Sequence, residues 1–172
     1  IGAFASLIAE GKVRHWAVSN FGPELLVQVL DLCDARGWPR PVMHQPGYSL
    51  LNRGAEELLL PLCEAEGIAV APYQVFQGGL LTGKYRASDM PEGARRTGNP
   101  RFANREYVND RNWAIVEQVR CFAEGRGISM LDVAFGWLAA KGVTASIIAG
   151  ATSPAQIEGN VKAIEWRPSK AE

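Results

Sequence analysis

The sequence predicts an α/β protein built around a parallel sheet, and two observations favour this class. Short β-rich runs, which begin near residues 13, 42 and 68, alternate with segments of helical periodicity. Glycine closes the helical segments, as at Gly37 and Gly67. Strands that alternate with helices in this way are parallel and are joined by helical crossovers.

Each element follows from its own pattern of apolar, capping and breaking residues. Ser129 and Asp132 form a capping box, and Ser153 followed by Pro154 starts the last long helix. The expected strands are 13–18, 42–45, 68–71 and 143–149. The expected helices are the turns within 1–10 and segments near 23–37, 55–66, 110–124, 129–140 and after 153. A long irregular stretch, 77–108, lies between them, and loops of that length usually carry a function.

The first residues resemble the end of a helix that is already under way. Phe4, Leu7 and Ile8 have helical spacing, Gly11 closes the segment, and the chain does not begin with Met. We therefore expect a further N-terminal portion in the parent protein.

Composition excludes several classes of function. Eighteen basic residues balance eighteen acidic ones, which argues against a nucleic-acid partner. The sequence has no apolar run of the roughly 18 residues that a membrane span needs, and no signal-peptide pattern. Cys33, Cys63 and Cys121 have neither metal-type nor redox-type spacing, so we expect buried free thiols, a reducing compartment and a cytoplasmic location. His15 and His44 have no obvious catalytic partner in the sequence, and neither a Rossmann glycine motif nor a metal cluster is present.

Polar and aromatic residues collect where the predicted strands end. Ser19 and Asn20, Gln45, Tyr73 and the stretch 150–153 all fall there. Parallel barrels bind ligands at the carboxyl ends of their strands. Buried carboxamides cost free energy unless they are paired, so a ligand that both donates and accepts hydrogen bonds would suit them.

Four segments together resemble the aldo-keto reductases, over essentially all of residues 1–166. They are 17–20, 45–48, 72–85 and 149–154. The resemblance implies a partial (β/α)8 TIM barrel, roughly strands 5 to 8 with their helices. Residues 1–172 would then be the C-terminal half of an NADP-dependent oxidoreductase domain, since a complete barrel needs roughly 250 residues.

The resemblance assigns cofactor contacts residue by residue. Ser19, Asn20 and Gln45 would hydrogen-bond the nicotinamide carboxamide, and Tyr73 would stack on its ring. The loop along the diphosphate would contribute Gln74, Phe76, Gly78, Leu80 and Lys84. The adenosine end and its 2′-phosphate would meet Arg95, Gly150, Thr152, Ser153, Gln156 and Asn160. Several family members carry Lys or Arg where this chain has Gly150 and Gln156, so the choice between NADPH and NADH stays open.

Plainer interpretations exist for most of these residues. Ser19 and Asn20 could cap the helix that begins at Pro23, Gln45 could be a structural amide, and Tyr73 could belong to the core. Arg95 could be a solvated loop residue.

The resemblance implies an NADPH-dependent reductase of small aldehydes or ketones. The family's proton donor is a Tyr tuned by Lys and Asp with a nearby His, and none of these can be assigned here, so we expect the isolated chain to be inactive. One alternative is a non-catalytic subunit of the same fold that senses the nicotinamide redox state, and another is an unrelated small α/β domain. A half-barrel leaves two sheet edges unpaired, which predicts self-association.

Overall fold

A computed structural model describes residues 1–87 and 107–169. Its sheet has three parallel strands in the order β1 (Ala17–Ser19), β2 (Met43–Gln45) and β3 (Ala69–Val70). Ala17 pairs with Met43, and His44 pairs with Val70. The expected α/β class with a parallel sheet is confirmed, and the sheet is consistent with part of a barrel.

The fourth expected strand, 143–149, lies beside β3 but does not form a regular ladder. The amide of Val70 donates to the carbonyl of Val143 at 2.9 Å, and the amide of Ile148 donates to the carbonyl of Pro72 at 2.9 Å. Only one parallel bridge, between Val70 and Thr144, joins this segment to β3. β3 is two residues long, so it offers few ladder partners to this neighbour.

The first strand is shorter than expected because the residues before Ala17 make hydrogen bonds outside the sheet. Trp16 turns its indole to the carbonyl of Pro39 at 2.8 Å, and the amide of Val13 reaches back to Leu7. His15 therefore lies outside the strand.

The helices flank the sheet and the loops that follow it. Within residues 1–87 and 107–169, 3₁₀ helices cover Gly54–Glu56 and Gln77–Thr82. The α-helices of the same ranges are α1 (Gly2–Ala9), α2 (Pro23–Arg36), α3 (Leu59–Ala65), α4 (Asp110–Arg126), α5 (Met130–Ala139) and α6 (Pro154–Ala163).

The single helix expected over 55–66 is two elements instead. Pro61 has no amide hydrogen and would disrupt a helix that contained it in its interior. The α-helix therefore starts at Leu59, which places Pro61 in the first turn, where no intrahelical donor is required. A separate 3₁₀ turn, Gly54–Glu56, takes the preceding residues.

The predicted caps are present. Ser129 accepts from the amide of Asp132 at 3.1 Å, and Asp132 accepts from the amide of Ser129 at 2.7 Å, which is the expected capping box. Ser153 caps α6 by accepting from the amide of Gln156, and Pro154 occupies its first turn.

Two apolar clusters hold these elements together. One lies between the sheet and helices α2 and α3, and includes Leu26, Leu30 and Val70. The other joins the Gln77–Thr82 helix to α4 and α5, and includes Leu81 and Val116. The loop that leaves β3 therefore packs in both clusters, with Val75 in the first and Leu80 and Leu81 in the second.

The cysteines divide between these cores and the surface. Cys33 and Cys63 are buried, as expected, and burial raises the pKa of the Cys63 thiol to about 11. Cys121 is exposed, which corrects the expectation for that residue, because α4 packs through the side that carries Val116 and Val119. Across the described residues, no helix has the length and apolarity needed to cross a membrane.

Candidate functional site

The carboxyl edge of the sheet brings together four of the predicted site residues. Ser19 is paired with Gln45 in the β1–β2 register, and its hydroxyl donates to the Gln45 carbonyl at 2.9 Å. The amide of Asn20 donates to the same carbonyl at 3.2 Å. Tyr73 follows β3, and its amide donates to the carbonyl of Pro46 at 3.0 Å, next to Gln45. Strands β1, β2 and β3 thus deliver these residues to one edge in succession.

The plainer interpretation of Ser19 and Asn20 as helix caps does not hold. The N-cap of α2 is Gly22, with no side-chain hydrogen bond, so Ser19 and Asn20 do not cap that helix. Gln45 and Tyr73 are only half-buried, whereas the core residues beside them are sealed from solvent.

Backbone strain is concentrated in the loops at this edge. Among the described residues, three that are not glycine have a positive φ: Asn20 at 58°, Gln74 at 55° and Gln77 at 45°. Asn20 follows β1, while Gln74 and Gln77 follow β3. Left-handed backbone is costly for residues with a Cβ, and it persists where the surrounding structure fixes a functional loop.

The ring of Tyr73 rests against the turn that follows β2. A Cβ built on Gly47 would lie 3.5 Å from Cζ of Tyr73 and 3.6 Å from Nδ2 of Asn52. Nδ2 of Asn52 donates to the carbonyl of Gly47 at 2.9 Å. Gly47 and Asn52 therefore support the tyrosine from the protein side.

The segment after Tyr73 turns tightly through two left-handed glycines, Gly78 at φ 64° and Gly79 at φ 99°. A Cβ at Gly79 would come within 2.9 Å of Lys84 Cε and Tyr85 Cε2, so only glycine lets the chain pass there. The side chain of Lys84 is folded over this turn, with Nζ 4.9 Å from the Tyr85 ring centroid.

The predicted residues of this loop differ in their access to a ligand. Gln74, Gly78 and Lys84 are exposed. Phe76 is half-buried and packs edge-on against Phe135, with ring centroids 5.3 Å apart. The side chain of Leu80 lies in the core, so a contact from this residue would have to come from its backbone.

The start of α6 carries the predicted adenosine-end residues. Oε1 of Gln156 accepts from the amide of Thr152 at 2.7 Å and from the Thr152 hydroxyl at 3.2 Å. The Gln156 side chain thus covers an amide that an anion at a helix N-terminus would use. Gly150 is exposed and Asn160 is half-buried, while Arg95 lies outside the described residues.

His44 lies under the sheet edge and is fully buried. Its Nε2 lies 3.0 Å from the carbonyl of Phe21. Desolvation lowers the pKa of this imidazole, although the bond to Phe21 opposes the shift, so it is neutral at pH 7. This contact joins β2 to the turn after Asn20.

Sequence reasoning missed the polar residues behind the site, namely Ser49, Asn52 and Gln77. They lie in a turn-rich stretch and at the start of the irregular region, where polar residues are common and carry no signal of their own. Within the portion of the chain that the structure describes, no group of three His, Cys, Asp or Glu residues could hold a metal ion.

Comparison with known proteins defines the class. The model of the aldo/keto reductase family matches residues 1–172, and the chain belongs to that family. The resemblance seen in the sequence is thereby confirmed, and the alternative of an unrelated small domain is wrong.

Individual relatives are of two kinds. The L-glyceraldehyde 3-phosphate reductase of Escherichia coli K12 is 31% identical over 94% of this chain and 47% of its own length. An aldo-keto reductase of Pseudocercospora fijiensis is 29% identical over 96% of this chain and 59% of its own. A probable voltage-gated potassium channel subunit beta of Arabidopsis thaliana is 27% identical over 98% of this chain and 52% of its own. The chain spans about half the length of the curated relatives it matches.

Proposed function

We propose that residues 1–172 form the C-terminal half of an aldo/keto reductase barrel and supply the nicotinamide site of an NADPH-dependent carbonyl reductase. In this assignment β1, β2 and β3 are strands 5 to 7 of the barrel, and the segment at Thr144 is strand 8. The observation that carries the proposal is the convergence of Ser19, Gln45 and Tyr73 at one sheet edge.

The residues at the edge suit a nicotinamide. Ser19 is exposed, while Gln45 and Tyr73 are half-buried, so a hydroxyl, a carboxamide and an aromatic ring are all accessible at this edge. A primary carboxamide both donates and accepts, which matches the groups of Ser19, Asn20 and Gln45. The flat ring of an aromatic side chain can stack on the face of a heterocycle such as nicotinamide.

The chemistry divides between the cofactor and the chain. When bound, dihydronicotinamide supplies a hydride to the carbonyl carbon of a small aldehyde or ketone. Ser19 and Gln45 would hold the carboxamide of the ring, and Tyr73 would stack on the ring and leave a face open to the substrate.

The proton for the substrate oxygen must come from another source. Tyr48 is fully buried, and its hydroxyl donates to Glu56 at 2.6 Å. Burial, with the help of that carboxylate, raises the pKa of Tyr48 well above its usual value, which makes it a poor acid. We therefore expect no carbonyl reduction by the isolated chain, and activity only where the remaining half of the barrel is present.

The test is a calorimetric titration of the chain with NADPH, in wild type, Tyr73→Phe and Tyr73→Ala. Loss of the ring is expected to weaken binding by about tenfold, because stacking of a base on an aromatic ring contributes roughly 1–3 kcal/mol. Tyr73→Phe retains the ring and is expected to bind like wild type. Equal affinities of the alanine variant and wild type would reject the stacking role.

A second function, favoured by the similarity to a protein named as a probable channel subunit beta, is a non-catalytic subunit that senses the nicotinamide redox state. It shares the binding site and differs in turnover, since a fold does not dictate its function. Tight NADPH binding by the full-length parent without turnover of any aldehyde or ketone would favour it. A cytoplasmic location and the lack of a nucleic-acid partner remain predictions from composition.

A further inference from the structure

We propose that Ser49 is a positioning residue that couples the turn behind Tyr73 to the loop that carries Gln74 and Gly78, through a buried hydrogen bond to Gln77. The inference rests on the proposed nicotinamide site and extends it to a residue that does not touch the ligand.

The link itself is a buried side-chain hydrogen bond between two loops. Nε2 of Gln77 donates to the hydroxyl oxygen of Ser49 at 3.0 Å, across 28 residues of sequence. Ser49 is 0% exposed and Gln77 is 1% exposed. A buried polar pair of this kind is costly to break, because water cannot replace the lost hydrogen bond in the interior.

On one side, Ser49 holds the turn that supports Tyr73. Its hydroxyl oxygen also accepts from the amides of Leu51 and Asn52, both at 3.2 Å. The backbone groups of Ser49 and Asn52 exchange two hydrogen bonds, at 3.1 and 3.0 Å. This fixes Asn52, whose side chain holds the carbonyl of Gly47, against which the Tyr73 ring rests.

On the other side, Gln77 sits at the centre of the strained loop. Its φ is 45°, and its amide donates to the carbonyl of Gln74 at 2.8 Å. Gly78, with φ at 64°, follows directly. Since Gln74 and Gly78 are both exposed candidates for cofactor contact, a shift of Gln77 would displace both.

The bond between Ser49 and Gln77 therefore helps to set the spacing between the ring support and the diphosphate loop, beside the backbone bonds that Tyr73 makes with Pro46 and Tyr48. A nicotinamide dinucleotide spans both regions and needs them in register, whereas a ligand without the nicotinamide end does not need the Tyr73 support. Small displacements of positioning groups reduce binding and reaction strongly.

The test compares Ser49→Ala, Gln77→Met and the control Val29→Ala. Val29 is buried in α2, a helix that carries no residue of either loop, so its truncation lowers stability without breaking the link. Dissociation constants are measured for NADPH and for adenosine 2′,5′-bisphosphate, which lacks the nicotinamide. In Ser49→Ala and in Gln77→Met we expect the dissociation constant for NADPH to rise by about fivefold or more, and that for the bisphosphate to stay within about twofold of wild type. Val29→Ala is expected to change neither constant.

A double variant separates coupling from independent damage. Ser49→Ala combined with Gln77→Met is expected to weaken NADPH binding no more than Ser49→Ala alone, since the serine change already removes the bond to Gln77 together with those to Leu51 and Asn52. Equal losses for the two ligands, or fully additive losses, would overturn the inference.

Amide hydrogen exchange provides a readout that needs no ligand. Exchange at Tyr73 and at Gly79 is expected to accelerate together in Ser49→Ala and to stay unchanged in Val29→Ala. If wild type binds neither nucleotide, the proposed function fails and so does the role in cofactor positioning, while the exchange rates still show whether Ser49 couples the loops. If exchange is unchanged in Ser49→Ala and NADPH binding is normal, the coupling by Ser49 is rejected while the proposed nicotinamide site stands.

Discussion

At the scale of single residues, Gln156 is the side chain whose replacement has the clearest consequence for nucleotide choice. Its Oε1 accepts hydrogen bonds from the amide and the hydroxyl of Thr152, at 2.7 and 3.2 Å. Thr152 lies at the start of a helix, where these two donors would otherwise be available to an anion. Gln156 is exposed and adds no charge of its own. A phosphate that bound at this helix start would have to displace it.

Replacement by a cation should therefore favour the phosphorylated nucleotide. Gln156→Arg frees the Thr152 amide and adds a guanidinium, so NADPH affinity is expected to increase by about tenfold with little change for NADH. Gln156→Ala, which frees the amide alone, serves as the control. Equal gains for NADPH and NADH would mean that the 2′-phosphate does not lie at this helix.

Gly79 makes a prediction about stability at the same scale. Its φ of 99° and the 2.9 Å approach to Tyr85 Cε2 oppose any side chain. Gly79→Ala is expected to lower the free energy of unfolding by about 1–3 kcal/mol, measured by urea denaturation. The matched control is Gly125→Ala in α4, where nothing lies within 4 Å, and which is expected to be neutral or to stabilise by up to about 1 kcal/mol. A tolerated alanine at position 79 would contradict the described turn.

At the scale of elements, Glu56 joins the turn after β2 to the end of α5. It accepts from the Tyr48 hydroxyl at 2.6 Å and from Arg53 at 2.7 Å, and lies 3.3 Å from Lys141. Arg53 and Lys141 also lie over the ring of Trp137 in α5, at 5.5 and 4.9 Å from its centroid. Desolvation would raise the pKa of Glu56, but the bonds from Arg53 and Tyr48 and the charge of Lys141 outweigh it and lower the pKa to about 2.

This network predicts acid sensitivity with a definite sign. Because the pKa of Glu56 is lower in the folded chain than its ordinary 4.5, its contribution is present above pH 4.5 and is lost as pH falls towards 2. Glu56→Gln is expected to reduce the free energy of unfolding at pH 7 by about 1–2 kcal/mol, with allowance for partial exposure, and the difference from wild type should shrink as pH falls through that window. Urea unfolding of both proteins at several pH values measures it. A difference that does not depend on pH would contradict the ionic role.

The elements also show where sequence reasoning succeeds and where it stops. Local chemistry gave the capping box at Ser129 and the cap at Ser153, because a hydroxyl placed before a helix satisfies its first amides whatever surrounds it. Two other features, the pairing of 143–149 and the exposure of Cys121, depend on contacts between distant parts of the chain. The segment 143–149 pairs with a strand of only two residues, and the face on which Cys121 lies depends on which side of α4 meets the core.

The candidate site divides in the same way. The residues at the strand ends could be named from the sequence, since parallel strands deliver their carboxyl ends to one edge. The support behind Tyr73 could not, because the bond between Ser49 and Gln77 joins positions 28 residues apart that look like ordinary turn residues.

At the scale of the whole molecule, the surface carries large apolar side chains that predict association. Leu58 and Val161 are both 62% exposed, and Ile157 is 57% exposed. Val42 and Ile148 are 45% and 42% exposed. Within the described residues β1 pairs only with β2, which leaves its outer edge open. We expect sedimentation equilibrium to give a mass above the 18.7 kDa of one chain and rising with concentration. Ile157→Glu with Val161→Glu should reduce that mass, and a single 18.7 kDa species at all concentrations would contradict the prediction.

The most direct test of the nicotinamide site is a measurement of proton contacts in the complex with NADP⁺. With isotope-labelled chain and unlabelled nucleotide, nuclear Overhauser effects between the nicotinamide ring protons and the Tyr73 ring are predicted, together with shifts of the Gln45 side-chain amide. Contacts of the nicotinamide protons with other parts of the chain, and none with Tyr73, would contradict the account.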